Sequence, residues 1–166
     1  TAAANNVTQS AGAITLSAAG TALTVTNNVT ISGVGPHAIG QGTNAGVQFR
    51  SSRIPNHHEV IGYQCDIGTM GKRRIWGALY DESRRKRFLV EGDAEQVSRV
   101  LKPTDWNEFV VRCEGKRVQI WLNGYQTVDF TEPDDTVART GILGLQIHGG
   151  PPAEAWYKDI RIKELK

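Results

Sequence analysis

Four residues near the C-terminal end of the chain combine a planar amide, a titratable pair and an aromatic ring: Gln146, His148, Glu154 and Trp156. Such side chains can hold a sugar. They lie in or beside a loop that joins two runs with the alternation of β-strands, residues 141–148 and 156–165. A histidine at a strand end can act as a general acid or base near neutral pH. The alternative interpretation is an ordinary solvated loop, because exposed polar loops are common.

A second polar group is predicted from residues 59–67, where side chains two residues apart point to the same face of a strand. Gln64 and Asp66 then share one face with Gly62, and we expect them to form a polar floor beside a residue that leaves room for a ligand. Tyr63 and Cys65 belong to the opposite face. The alternative is that Gln64 and Asp66 simply face solvent.

Aromatic residues supply further candidates. In the run at residues 75–80, alternation places Trp76 and Tyr80 on one side, where two rings could face a groove, although tryptophan also fills cores. Trp106 and Trp121 are better interpreted as core residues. The adjacent His57 and His58 point to opposite sides of an extended chain and cannot easily share a metal ion.

Composition excludes several classes of function. A net charge of +2 with 22% charged residues does not suggest nucleic-acid binding, which normally needs a basic excess on one face. The basic cluster at residues 84–87 is preceded by acidic residues and is predicted to be a solvated, partly neutralised face, with contact to an anion or an acidic glycan as the alternative. No apolar run approaches the roughly 18 residues needed to cross a membrane. Cys65 and Cys113 are not in a C-x-x-C pair, so we expect buried free thiols, with a disulfide as the alternative. We also expect no phosphate-binding glycine loop or nucleophile elbow, because neither sequence motif occurs.

The N-terminal part of the chain differs from the rest, because no Asp, Glu, Lys or Arg precedes Arg50. It contains a near repeat, NNVTQS at residues 5–10 and NNVTIS at residues 27–32. Two copies are too few for a solenoid to bury its own core. We therefore predict that residues 1–43 supply edge strands to the following domain, with a linker as the alternative.

From residue 45 onward the pattern is strand after strand. The turns at residues 114–115 and 123–124 predict a three-stranded antiparallel meander over residues 107–130, since Asn-Gly suits a type I′ hairpin turn. Residues 93–100 could form one short helical turn, which Pro103 prevents from extending. Many short strands without a long amphipathic helix indicate an all-β antiparallel sandwich, with residues 1–166 as a single domain.

Seven ordered segments carry a resemblance to the 3-keto-disaccharide hydrolase domain family over residues 44–165. They are NAGVQFRS (44–51), GYQCDI (62–67), WGALYDE (76–82), WN (106–107), WLNG (121–124), LQIHGG (145–150) and WYKDIRI (156–162). The resemblance implies a concanavalin A-like jelly roll and a bacterial parent protein that is exported, hence extracellular or periplasmic. It also implies activity on glycosides oxidised at C3, with a carbohydrate as the ligand. Residues 1–43 depart from the pattern of the family.

The resemblance implies roles for individual residues. A C3 ketone acidifies the C2 proton, so a base can remove it and the enolate then expels the C1 substituent before water adds. His148 is expected to be the base or acid, with Glu154 or Asp66 as its partner. Arg50 is expected to stabilise the enolate, while other side chains orient the sugar: Gln64, Trp76, Tyr80, Gln146 and Trp156. No cofactor is predicted, although a divalent metal could replace Arg50.

Two other classes of function stay open, because the same sandwich fold also serves binding proteins. One is a non-catalytic, lectin-like carbohydrate-binding module of a larger extracellular protein. The other is a structural surface protein, in which the N-terminal segment belongs to a longer solenoid or lattice. In either case other domains of a larger chain could be partners.

Overall fold

A computed structural model describes residues 7–10, 13–16, 22–25, 29–34, 38–39, 44–149 and 154–165, with side chains for 44–149, 155–163 and 165. Its strands are β1 Val7–Ser10, β2 Ala13–Leu16, β3 Ala22–Val25, β4 Val29–Val34, β5 Ala38–Ile39, β6 Asn44–Arg53, β7 Val60–Met70, β8 Arg73–Arg74, β9 Leu79–Glu82, β10 Arg87–Val90, β11 Glu108–Glu114, β12 Arg117–Leu122, β13 Tyr125–Thr131, β14 Gly141–Ile147, β15 Glu154–Ala155 and β16 Tyr157–Glu164. The helix is α1, Ala94–Val100.

The strands form two large antiparallel sheets. Sheet A has the order β1-β2-β16-β4-β11-β12-β13, and sheet B has the order β10-β9-β7-β6-β14-β3, with β8 paired to β7. The two-stranded β15-β5 pair is separate. The predicted all-β antiparallel sandwich is confirmed. Of the N-terminal strands, β1 and β3 lie at sheet edges, whereas β4 lies inside sheet A between β16 and β11.

The core lies between sheets A and B because alternate residues of each strand point inward. Sheet B contributes Phe49, Tyr63 and Leu79, and sheet A contributes Val111 and Ile120, all at most 2% exposed. Burial of such apolar side chains is the main source of stability in a sandwich of this kind. We refer to the opposite side of sheet B, which faces away from this core, as its outer face.

The predicted meander is confirmed, with β11 paired to β12 and β12 to β13. Asn123 and Gly124 have φ values of 48° and 83°, as a type I′ turn requires. The Asn123 side chain also leaves the hairpin: its Nδ2 donates to the Val100 carbonyl and to Asn107 Oδ1, both at 2.8 Å. The turn thus fastens the end of α1 to the sheet.

The short helix was predicted at residues 93–100 and is confirmed as α1. Asp93 caps it by accepting a hydrogen bond from the Gln96 backbone N–H at 2.9 Å. Helices that could cross a membrane are absent from the described part of the chain.

The two cysteines are free thiols buried in the core, Cys65 on β7 and Cys113 on β11. Burial raises the pKa of Cys113 to about 11, against an opposing effect of Arg50, and raises the pKa of Cys65 as well. Both thiols are therefore protonated and unreactive at neutral pH.

Three tryptophan predictions were wrong. Trp106 was expected in the core, but it is half-buried, with Lys158 Nζ 4.2 Å from its ring centroid. Trp121 was expected in the core, but it is half-buried, because Val118, Ile120 and Leu122 are the residues of β12 that point inward. Trp76 was expected to share a face with Tyr80, but its ring stacks on Phe109 in the core at 6.2 Å between centroids. The alternation fails between them because Gly77, with φ of 74°, reverses the chain before β9 begins.

Trp76→Ala should therefore lower the free energy of unfolding by about 3–5 kcal/mol, the usual cost of emptying a buried aromatic site. Chemical denaturation checks this, with Trp121→Ala as the matched control. The control should lose less than about 1.5 kcal/mol, because half-exposed positions generally tolerate truncation. Equal losses in the two variants would contradict the assignment of Trp76 to the core.

Candidate functional site

The outer face of sheet B collects the polar residues of four neighbouring strands. Directly paired residues of an antiparallel sheet share a face. The register pairs Gln146 with Gly46 and Gly46 with Asp66. The next row consists of Gly144, Gln48, Gln64 and Tyr80. The structure therefore places four of the expected site residues on one surface: Gln64, Asp66, Tyr80 and Gln146.

A continuous chain of hydrogen bonds runs through these side chains. Ser51 Oγ donates to Gln48 Oε1 at 3.2 Å, Gln48 Nε2 donates to Gln64 Oε1, and Gln64 Nε2 donates to Asp66 Oδ1. Gln48, Gln64 and Asp66 are each less than 5% exposed. Buried polar groups of this kind are tolerated only when they are paired, so the chain fixes the position of the Asp66 carboxyl.

Gly46 is needed for this arrangement. The Gln64 side chain crosses the strand over Gly46, and a Cβ at residue 46 would lie 2.6 Å from Gln64 Cγ and Cδ. Gly144, on the same face, has its nearest neighbour, Gln48 Cβ, at an ordinary 3.7 Å. A side chain at residue 46 would therefore clash with Gln64, whereas a methyl group at residue 144 would make an ordinary contact.

Asp66 has an unusually high pKa for an aspartate. Burial raises it to about 7, the charges of Glu82 and Glu91 add to the effect, and the hydrogen bond from Gln64 opposes it. A carboxyl that titrates near neutral pH can both accept and return a proton, as general acid–base catalysis requires.

Two amide oxygens on this face are buried and have no hydrogen-bond partner among the residues that the structure describes: Gln146 Oε1 and Asn44 Oδ1. Asn44 lies two residues before Gly46 on β6, so both oxygens flank the Gly46 position. An unpaired buried acceptor is costly unless a ligand or water supplies a donor. Hydroxyl groups are donors of the required kind.

His148 lies at the end of this surface. Its backbone N–H donates to the Asn44 carbonyl at 2.9 Å, and its exposed ring has Nδ1 2.6 Å from the Gly149 carbonyl oxygen. Strand spacings of about 4.8 Å and rises of about 3.4 Å put its Cα about 12 Å from that of Asp66. The two residues therefore lie two strands apart on the same face and do not touch.

The other expected ligand contacts have mixed outcomes. Tyr80 is half-buried on the outer face, with its ring edge-to-face with Phe88 at 5.1 Å. Trp156 is 48% exposed. Glu154 begins β15, but its side chain lies outside the described residues. Trp76 is in the core and does not reach this surface.

Arg50 is not brought to this site, contrary to expectation. The pairing of β6 with β7 is irregular between Phe49 and Ser52, and Arg50 has a φ of 48°. Its side chain consequently points toward sheet A, where Nη1 donates to the Gly115 carbonyl at 2.7 Å. It cannot stabilise an enolate on the outer face.

Sequence reasoning missed Asn44 and Gln48 as site residues. The alternation in NAGVQF over residues 44–49 was the available signal, since Asn44, Gly46 and Gln48 alternate with the inward-facing Ala45 and Val47.

No group of three or more His, Cys, Asp or Glu side chains close enough to hold a metal ion occurs among the described residues.

Stability should depend on pH through Asp66. The carboxyl has a folded-state pKa of about 7 against an ordinary 3.8, so the folded protein holds its proton more tightly than the unfolded chain. The protonated Asp66 carboxyl therefore adds to the free energy of unfolding at low pH. This added stability is lost as pH rises toward 7, and its size is on the order of 1.4 kcal/mol for each unit by which the pKa is raised. The Asp66→Asn variant cannot titrate at this position. Chemical denaturation at pH 5 and pH 8 should therefore show that its stability relative to the wild type is greater at pH 8 than at pH 5. Asp129→Asn, at an exposed carboxyl whose pKa is lowered by Arg117, should show no such gain.

Gly46→Ala should disturb the same carboxyl from a distance. The added Cβ displaces Gln64, which removes the hydrogen bond that lowers the Asp66 pKa. NMR titration of the Asp66 carboxyl carbon should therefore give a higher pKa in this variant. Gly144→Ala is the control and should leave the titration unchanged. A Gly46→Ala protein with the wild-type titration curve would show that Gln64 does not depend on the glycine.

Solved structures with the same fold include several carbohydrate-related proteins. A Parabacteroides distasonis protein assigned provisionally to the glycosyl hydrolases is 17% identical, with 95% of this chain and 89% of that chain covered and a TM-score of 0.61. The carbohydrate-binding module CBM66 of Bacillus subtilis is 16% identical, with coverages of 94% and 84% and a TM-score of 0.61. At such identities the similarity establishes the fold alone.

Family membership rests on the sequence itself. No curated protein sequence matches the chain significantly. The model of the 3-keto-alpha-glucoside-1,2-lyase-like domain matches residues 8–163, which is nearly the whole chain and includes most of the segment that was set apart as atypical. The chain therefore belongs to the 3-keto-alpha-glucoside-1,2-lyase-like domain family, a carbohydrate-related family.

Proposed function

We propose that the outer face of sheet B binds and cleaves glycosides oxidised at C3 of the sugar. The observation that carries the proposal is the combination at Gly46: a carboxyl whose pKa is raised to about 7 lies on the same face as two buried amide oxygens without partners. Proton transfer and hydroxyl recognition are the two capacities that the reaction needs. Family membership supports the choice of substrate.

In the proposed reaction the C3 ketone makes the C2 proton acidic. A base removes that proton, the electrons form an enolate, and the C1–O bond breaks as an acid protonates the departing alcohol. Water then adds at C1 of the enone while a proton returns to C2. The sequence needs one group that accepts a proton and one that donates a proton, on either side of the ring.

Asp66 and His148 supply these groups in our proposal. Asp66 serves as the base that takes the C2 proton, and the exposed His148, whose Cα lies about 12 Å from that of Asp66 by standard strand spacings, protonates the leaving group. Gln146 and Asn44 accept hydrogen bonds from sugar hydroxyls. Because Asp66 is 2% exposed, the side chains that cover it must move when substrate binds.

The second candidate is a non-catalytic carbohydrate-binding module. The same burial of Asp66 favours it, since a carboxyl that never meets the substrate can only position its neighbours. The fold shared with CBM66, which is described as a carbohydrate-binding module, agrees with this alternative. Unpartnered amide oxygens serve sugar binding equally well in both candidates.

Release of the aglycone from a 3-keto-glucoside, with the unoxidised glucoside as the comparison substrate, separates the two candidates. We expect turnover of the 3-keto substrate only. Asp66→Asn and His148→Ala should each lower kcat by about 10² or more, the usual scale for loss of a general acid or base. His57→Ala, which removes another exposed histidine, should keep wild-type activity. Binding of both sugars without turnover would refute catalysis and establish the binding module.

A further inference from the structure

Arg50 is a buried cation that has no counter-charge among the described residues. It is 7% exposed, and while Nη1 donates to the Gly115 carbonyl, neither Nε nor Nη2 has a hydrogen-bond partner. No carboxylate of the described residues lies within 4.0 Å of its guanidinium, since Arg50 takes part in none of their ion pairs. Arginine does not lose its proton in proteins, so it cannot escape this situation by becoming neutral.

The charged residues around Arg50 already form ion pairs or hydrogen bonds with other residues. Arg50 lines a cleft with Lys116, Glu132, Val137 and Arg139, which we call the Arg50 cleft. Lys116 and Arg139 both pair with a neighbouring carboxylate, Asp135, at 2.6 and 3.3 Å. The carboxylate of Glu132 receives two hydrogen bonds from Arg85, at 2.6 and 3.0 Å, and one from Tyr63.

These bonds hold Glu132 ionised and paired with residues other than Arg50. Although burial acts to raise its pKa, the hydrogen bonds from Arg85 and Tyr63 lower it to about 2. Asp134 also lines the cleft, but its Oδ1 accepts from the Thr136 N–H and hydroxyl, so no carboxylate of the described residues pairs with Arg50.

The free edge of Arg50 has the geometry that holds a carboxylate. Nε and Nη2 lie on the same edge of the planar guanidinium group and can donate two parallel hydrogen bonds. Arg117 shows the use of this edge within the same protein, since its Nε and Nη2 hold the two oxygens of Asp129 at 2.7 and 2.5 Å. We propose that the Arg50 cleft binds a small carboxylate through Nε and Nη2 of Arg50, at a site separate from the sugar face.

The outer wall of the cleft must move for a ligand to enter. The space beside Arg50 is too narrow for a water molecule, and Val137 and Arg139 close it from the segment between β13 and β14. That segment is held by the exposed Arg139–Asp135 ion pair and by a long 3.4 Å hydrogen bond from the Val137 N–H to the Asp134 carbonyl. The exposed ion pair stabilises little, so the main cost of opening the wall is the loss of core contacts by Val137, which is 8% exposed.

NMR of the arginine Nε–H signals tests the proposal on the intact protein. Titration with sodium acetate should shift the Arg50 Nε–H signal in a saturable manner, while sodium chloride at the same ionic strength should not. The Arg117 signal is an internal control and should stay in place, because Asp129 already occupies its edge. A shift that is equal in both salts, or no shift, overturns the proposal.

The source of the carboxylate is tested with glucuronate against glucose. Saturation by acetate and glucuronate, but not by glucose, indicates that a carboxylate is sufficient; a much tighter response to glucuronate identifies an acidic sugar as the ligand. Thermal unfolding adds a second readout: acetate should raise the wild-type Tm by a few degrees and leave the Tm of Arg50→Lys unchanged, since lysine cannot donate from a planar edge. If the variant does not fold, the titration of the wild type still decides. An Arg50→Lys protein with the full acetate effect overturns the assignment.

Discussion

The pairing of β6 with β7 imposes a strict alternation on which the rest of the structure depends. Ala45, Val47 and Phe49 face their partners Ile67, Cys65 and Tyr63 in the core. A slip of one residue would send every apolar side chain of a strand to the wrong face, so burial holds the register firmly. The polar residues that alternate with them must therefore point to the outer face. Packing of the core thus determines which residues form the outer face, independently of any ligand.

This constraint explains how much could be read from the sequence. The shared face of Gln64 and Asp66 follows from alternation alone, as does the hairpin at Asn123, because both depend on local patterns that the core enforces. The N-terminal strands were harder to place. A strand inside sheet A, such as β4, has its neighbours far away along the chain, in β11 and β16, and no local signal identifies distant partners.

Two of the failures, at Trp76 and Arg50, occur where a left-handed residue interrupts the alternation. Gly77 reverses the direction of Trp76 relative to Tyr80, and the positive φ of Arg50 turns its side chain from the outer face toward sheet A. A non-glycine residue in this region is uncommon and cannot be anticipated from its type. The pKa of Asp66 was equally beyond sequence analysis, because it arises from burial and from Glu82 and Glu91, which lie far along the chain.

The Asn123–Gly124 turn has a consequence for the chemical lifetime of the protein. Asparagine followed by glycine is the dipeptide most prone to deamidation when it is flexible, because the glycine backbone nitrogen can reach the amide carbon. Here the Asn123 amide donates to the Val100 carbonyl and to Asn107, while its oxygen accepts from the Glu108 N–H at 2.8 Å. Conversion to aspartate would set a negative charge against two acceptor oxygens. The same contacts that hold α1 to the sheet therefore also restrain the Asn123 side chain against deamidation. Deamidation of Asn123 would in turn weaken the attachment of both the helix and the hairpin.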